Sequence, residues 1–203
     1  MILFLYPKGA KMAKKIKNRN LWFTADLHLG HSNIIKYCNR PFSSVEEMDE
    51  TLIERWNWLV KPKDVVYFLG DFCMGGREQA LQYFNRLNGQ IYVVPGGHDK
   101  RWARFQGSYT GLNCVVRILS SLYTITYGIN KQVIVLCHYC MRVWDRSHYN
   151  SWQLHGHSHG GLLGVGKQMD VGVDTNDFYP YSLEDIERRM KELPDNFNLV
   201  KHK

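Results

Sequence analysis

Hydrophobic positions in this chain fall into short unbroken runs that close on acids and glycines, alternating with stretches whose apolar residues recur every three or four positions. The first pattern predicts buried strands, and the second predicts helices with one face in a core. LWFTAD (21–26), DVVYFLGD (64–71) and QIYVVPGGHD (90–99) are of the first kind, the last running into a glycine turn. Between them Val45, Met48, Leu52, Trp56, Leu59 and Val60 keep helical spacing behind a capping box of Ser44 and Glu47. The Trp56 and Trp58 pair is therefore first a question of core packing. REQALQYFNRLNG predicts a further helix, closed by Gly89 as its C-cap.

The second half changes character. CVVRI, SLYTITY and KQVIVLCH are β-rich, and Gly128-Ile129-Asn130 sits between the last two as a hairpin loop. MDVGVD predicts one more strand, and SLEDIERRMKE predicts a helix capped by Ser182. No repeat, low-complexity tract or linker divides the chain, so an α/β sandwich built on sheets is the economical architecture.

At 203 residues the chain is long enough for one compact domain with a large core and short for two. The expectation is a single domain over 20–203 behind a basic tail, 1–19. With 44% hydrophobic and 22% charged residues the composition is that of a globular protein, and no apolar run nears the length that crosses a bilayer. MILFLY is apolar, but positive charge follows it, which is the reverse of a secretory signal. A soluble, cytoplasmic protein with no membrane partner is expected. Cys38, Cys73, Cys114, Cys137 and Cys140 are odd in number and irregular in spacing, which predicts free thiols in a reducing compartment. Cys137 and Cys140 form a C-x-x-C without a second pair at zinc-finger spacing, and are read as buried thiols. The net charge of +7 sits largely at the start, on Lys8, Lys11, Lys14, Lys15, Lys17 and Arg19. Such a tail is a solvated terminus or a nucleic-acid contact, and Met12 is a second candidate start.

LHGHSHGG (154–161) carries histidines at alternate positions among glycines, a density that neither a helix nor a packed strand explains. Metal binding is the direct alternative. The remaining chemistry-bearing residues also follow apolar runs or sit in glycine turns: Asp26 and His28 in ADLH, Asp71 in GD, His98 and Asp99 in GGHD, and His138 in CH. Loops after buried strands are where α/β folds place their chemistry. Glycine beside each candidate lets the backbone bend and approach an ion. Carboxylate and imidazole together, without thiolate, suit Mn²⁺, Fe or Zn²⁺ at a hydrolytic centre better than a structural zinc finger.

In order, D-x-H, G-D, G-x-H-D, H and G-H-x-H resemble the calcineurin-like metallophosphoesterase superfamily over residues 26–159. ADLHLGHSNIIKYCNRPF and HYCMRVWDRSHYNSWQLHGHSHG are similar to its small phage and bacterial branch. The resemblance implies a four-layer αββα sandwich and two divalent metal ions, Mn²⁺ first, with Zn²⁺ or Fe as alternatives. Asp26, His28 and His159 would hold one metal, Asp71 would bridge both, and His138 and His157 would hold the second. His155 matches no ligand position and is left to a strand or supporting role. The implied activity is hydrolysis of a phosphate ester by metal-activated water. His98 would act as general acid or phosphate-binding cation, with Asp99 orienting its ring.

The family pattern is G-N-H-D, and Gly97 stands where the asparagine would lend its amide oxygen to the second metal. Three protein ligands plus water suffice for a catalytic zinc site, so a weaker, more open second site is expected rather than loss of activity. Cys140 stands where related sequences often carry proline, and the chain leaves no room for a cap domain, so an open groove is expected. His31 and His148 are expected to contact phosphate or leaving group there, and Trp144 to stack on a base, although packing is the commoner role of such aromatics. A phosphodiester substrate, nucleotide or nucleic acid included, fits an open groove at least as well as a monoester. The alternative is a metal-binding domain that holds nucleic acid or nucleotide without turnover.

Overall fold

The computed structural model describes residues 19–103 and 108–200. Apart from Arg19, the basic segment at the start lies outside the described residues. In chain order the elements are β1 (Leu21–Thr24), α1 (Ser32–Tyr37), α2 (Val45–Leu59), β2 (Val65–Phe68), α3 (Arg77–Phe84), β3 (Gly89–Val93), β4 (Ser108–Thr110), β5 (Cys114–Ile118), β6 (Leu122–Tyr127), β7 (Gln132–Cys137), β8 (Trp152–His155), β9 (Gln168–Asp170), β10 (Tyr181–Ser182) and α4 (Leu183–Glu192). They form an α/β sandwich of two sheets with helices against them. The larger sheet runs β10-β1-β2-β3-β5-β4 and the smaller runs β6-β7-β8-β9. β1, β2, β3 and β5 are parallel, with antiparallel strands at both edges. β7, β8 and β9 are also parallel, and β6 pairs antiparallel.

The unbroken apolar runs are explained by burial on both faces of the larger sheet. On β2, Val66 and Phe68 point at the helices, and Val65 and Tyr67 point at the smaller sheet. Met48, Leu52, Ile53 and Trp56 of α2 and Ala80 and Phe84 of α3 fill the first layer. Trp56 is buried and its indole Nε1 donates to the Asn88 carbonyl at 2.9 Å, while Trp58 is 77% exposed. Two residues apart on a helix, the pair cannot share a face. Ser44 caps α2 by accepting from the Glu47 backbone N–H, as expected, but the Glu47 carboxylate turns to Ser43 instead of closing the box.

One helix boundary differs from the sequence expectation. α3 stops at Phe84 with Asn85 as its C-cap, and Gly89 opens β3 instead. Its backbone N–H is taken by the Asn113 carbonyl, and at φ +112° a Cβ there would lie 3.0 Å from Val60. Strand pairing and close packing, not a helix terminus, require that glycine.

The inner face of the smaller sheet sets Ile125, Ile134, Leu136 and Leu154 against Leu21, Phe23, Val65 and Tyr67. α4, capped by Ser182 and Asp185, adds Leu183, Ile186 and Met190 to the same interior beside β10. The outer face is covered by loops. Gln153 Nε2 donates to the Tyr139 carbonyl, Gln168 Nε2 to that of Met141, and Asn196 Nδ2 to those of Ser147 and Ser151. All five cysteines are free, with Cys137 and Cys140 half-buried. Burial raises their thiols, that of Cys73 to about 12. Among the described residues no helix is long and apolar enough to cross a membrane.

The parallel strands of both sheets end at one edge of the sandwich. There Asp26 N donates to the Gly70 carbonyl, Gly156 N to the His138 carbonyl, and an isolated parallel bridge joins Ala25 to Gly172 across the sheets.

Trp56→Ala removes a buried indole and its hydrogen bond, and is expected to cost about 3–5 kcal/mol. The check is a lower urea midpoint at unchanged slope, whereas Trp58→Ala shifts stability by no more than about 0.5 kcal/mol.

Candidate metal centre

The carboxyl ends of five parallel strands deliver the parts of the site. Asp26 and His28 follow β1, Asp71 follows β2, His98 follows β3, His138 follows β7, and His157 and His159 follow β8. Asp26, His28 and His159 offer ligand atoms within 4.8 Å of one another, and so do Asp71, His138 and His157. Asp71 lies between the groups: its Oδ2 is 3.3 Å from His138 Nε2, 3.7 Å from His28 Nε2 and 3.9 Å from His98 Nε2. Asp26, His28, Asp71 and His138 are buried, His159 is half-buried, and His157 and His98 open to solvent.

The backbone is bent to make this possible. Asp26, His28, Asp71, His157 and His159 all adopt left-handed conformations, with φ between 46° and 66°. Such a residue costs on the order of 1–3 kcal/mol and persists only where its surroundings over-determine it. Glycines press against the carboxylates: a Cβ on Gly156 would lie 2.6 Å from Asp26 Oδ2, and one on Gly96 would collide with Asp71 Oδ1. These positions accept no side chain.

Three buried atoms at this centre have no hydrogen-bond partner: Asp26 Oδ1, His28 Nε2 and His138 Nε2. Leaving a buried polar atom unpaired costs roughly 1–3 kcal/mol, and more for a charged group. A cation in each group would satisfy these atoms, so the residues fit metal ions. The tautomers agree. His138 Nδ1 lies 2.8 Å from the Leu69 carbonyl, which can only accept, so the proton is on Nδ1 and Nε2 is free as a ligand. His159 Nδ1 lies 2.7 Å from Asp174 Oδ2, which leaves its Nε2 for the site in the same way.

Electrostatics bear the same stamp. Burial raises Asp26 to about 7 despite the nearby His159 and His138. Burial also works to raise Asp71, but the His138 imidazole 3.3 Å from its carboxylate holds it well below the usual carboxylate range. His28 is pushed far down by burial, which outweighs the attraction of Asp71. For His138 and His159 burial is outweighed by Asp71 and by Asp174 respectively, and both are raised.

Several residues act here that sequence reasoning did not single out. Asp174 holds His159 and is itself gripped by the buried Arg40 through Nε and Nη2, each at 2.8 Å. Arg40 also donates to the Asp26 and Leu27 carbonyls, tying the loop after β1 to a residue 134 positions away. Cys38 lies near His159 and Asp174 too, but Asp174 is already paired. Asp49 accepts from Gly30 N and the Tyr83 hydroxyl, and Asp170 accepts from Ser158, Gly160 and Gly172. The signals were slight: an arginine inside CNRPF and the last acid of MDVGVD.

Other expectations need correction. Asp99 does not orient the His98 ring. Its carboxylate accepts from the backbone N–H groups of Asp71 and Gly96, each at 2.8 Å, and of Phe72 at 2.9 Å, and so holds the turn that presents Asp71. Trp144 is buried with its Nε1 on the Ser151 carbonyl, so no face is free for stacking. His148 packs on Tyr149 in the turn Ser147–Tyr149, near Asn130–Val133 and the start of β8, at the end of the sheet away from the ligands. His31 does join the site, its Nδ1 3.4 Å from that of His28 and its ring 5.7 Å from that of His98. His155 is buried at the end of β8 with Nδ1 on the Gly156 carbonyl, outside the ligand groups. Gly97 brings no side chain, and a Cβ there would meet the Tyr139 hydroxyl at 3.3 Å.

No family model matches the chain. An uncharacterized protein of Methanocaldococcus jannaschii is 34% identical over 177 residues, which cover 82% of this chain and 88% of that protein. The gene 66 protein of Mycobacterium phage L5 is 27% identical over 181 residues, covering 77% of this chain and 87% of the phage protein. Among solved structures, a protein of unknown function from Aquifex aeolicus matches with a TM-score of 0.62 at 21% identity, over 85% of this chain and 100% of that one. The last likeness is one of fold.

A cation at this centre must displace the proton that Asp26 keeps up to about pH 7, and those on the raised His138 and His159. Added Mn²⁺ is therefore expected to raise Tm more at pH 8 than at pH 5.5, and equal shifts at both would contradict this arrangement. Asp174→Asn leaves the ligands in place but loosens His159, and is expected to weaken Mn²⁺ binding roughly 10–100-fold by isothermal titration.

Proposed function

The chain belongs to the family of the Methanocaldococcus jannaschii protein, and we propose that it is a metal-dependent phosphoesterase acting on phosphodiesters. The observation that supports this most is the pair of three-residue ligand groups with Asp71 between them, built around buried atoms that have no other partner. Asp26, His28 and His159 would hold one cation, His138 and His157 the other, and Asp71 would face both. Imidazole and carboxylate ligands suit Mn²⁺, with Zn²⁺ and Fe as alternatives. Bound there, a pair of divalent cations supplies Lewis acidity, neutralising phosphoryl oxygens and acidifying water near neutral pH.

The chain's own residues do the rest. His98 is 42% exposed at the side chain and stands over Asp71, where its imidazole can hand a proton to the departing alkoxide. His31, beside it, offers a second imidazole to a phosphoryl oxygen. Burial of Asp26, Asp71 and His138 keeps water off the inner side, while exposed His157 and His98 leave the outer side open to substituents on both ester oxygens. That openness favours a diester, including nucleotides and nucleic-acid ends.

Hydrolysis of a chromogenic phosphodiester is expected to require added Mn²⁺ and to vanish in Asp71→Ala. Metal uptake without turnover in the parent chain would instead support a non-catalytic nucleotide or nucleic-acid binder. His98→Gln is expected to lower kcat by about 10²–10⁴-fold with metal content unchanged, and a loss of bound metal in that variant would remove His98 from the proton-donor role.

A further inference from the structure

Tyr139 stands at the open side of the centre with a hydroxyl that hydrogen-bonds no other described residue, although its ring is closely held. The ring is edge-on to both His138 and His157, with centroids 4.8 Å away in each case and interplanar angles of 75° and 71°. Its carbonyl is tied to Gln153 Nε2 at 3.2 Å, which anchors the main chain under it. The residue remains 46% exposed. The hydroxyl reaches over Gly97, lying 3.3 Å from where a Cβ there would sit, the one heavy atom within 4 Å among the described residues other than the chain neighbours of Gly97. Gly97 has φ −65° and ψ −40°, a conformation open to every L-residue, so its backbone does not demand glycine. What glycine leaves there is room for the phenol oxygen.

We propose that the Tyr139 hydroxyl donates a hydrogen bond to a phosphoryl oxygen of the bound substrate, and that Gly97 keeps the space this requires. The assignment rests on the phosphoester reading and adds to it a specificity contact beside Asp71, His138 and His157. A phenol offers one donor on a rigid ring, and the two flanking imidazoles aim it. A hydrogen bond to a charged partner is among the stronger ones that a neutral side chain can make.

The test is titration of the Mn²⁺-loaded protein with inorganic phosphate, alongside measurement of Mn²⁺ stoichiometry. Tyr139→Phe keeps the ring between the two histidines and removes the donor. It is expected to weaken phosphate binding roughly tenfold or more with Mn²⁺ stoichiometry unchanged. Gly97→Ala puts a methyl against the hydroxyl and is expected to weaken phosphate in the same direction, but to add nothing in the Tyr139→Phe background. Phosphate affinity in Tyr139→Phe within about twofold of the parent, or additive losses in the double variant, would overturn the assignment while leaving the phosphoester reading intact. Loss of Mn²⁺ from Tyr139→Phe would also overturn it, by making the tyrosine part of the metal site. A parent chain that takes up Mn²⁺ and binds no phosphate would sink both.

Discussion

Two carboxylates buried where the sheets meet impose the constraint on which the rest of this molecule depends. Asp26 and Asp71 are taken out of water with few neighbours able to satisfy them, and an unpaired ionised carboxylate in such a place is too costly to keep. The surroundings answer in a consistent way. Imidazoles converge on both acids, burial drives Asp26 toward its neutral form, and His138 holds Asp71 in its charged one. The atoms left unpaired by those contacts are ones that bound cations would satisfy.

Holding those acids demands a strained backbone and a second circle of polar contacts. The left-handed turns at Asp26, His28, Asp71, His157 and His159 are sustained by groups that never reach the centre. Asp99 takes backbone N–H groups from Gly96, Asp71 and Phe72, and so locks the turn after β2 to the turn after β3. Arg40 and Asp174 do the same for the loop after β1 and for His159. Asp99 and Arg40 are buried charges whose partners are mostly main-chain atoms or one opposite charge, the circumstance in which burial can be tolerated.

The asymmetry of the site, buried on the sheet side and open on the other, carries the proposed chemistry. Most of the proposed metal ligands lie inside, and the groups proposed to meet substrate, His98, His31 and Tyr139, lie where a phosphate ester can reach them. Gly97 and Tyr139 illustrate how one position shapes another. The missing side chain is matched by a ring that arrives from a different sheet, forty-two residues later in the chain.

How much of this was legible beforehand follows from range. Local patterns are written in neighbouring residues: the apolar runs of β1, β2 and β3, the Ser44 and Ser182 caps, and the clustering of Asp26, His28, Asp71, His98, His138, His157 and His159 behind strands or among glycines. Gly89 was misread because a glycine after a helical run looks like a cap until the strand it opens finds its partner. The patterns around Asp99, Trp144 and His148 do not give side-chain direction, which depends on the folded turn: Asp99 turns to the backbone after β2, Trp144 to the Ser151 carbonyl and His148 to the adjacent Tyr149 ring. The sequence by itself determined which segments become strands and helices and which residue types gather in the turns, since those follow from local sterics and hydrophobic period. Only the tertiary structure decided which acids hold the others in place and which aromatic rings are spent on packing, since those depend on how separate turns meet, from Trp144 and Ser151 seven positions apart to Arg40 and Asp174 at 134.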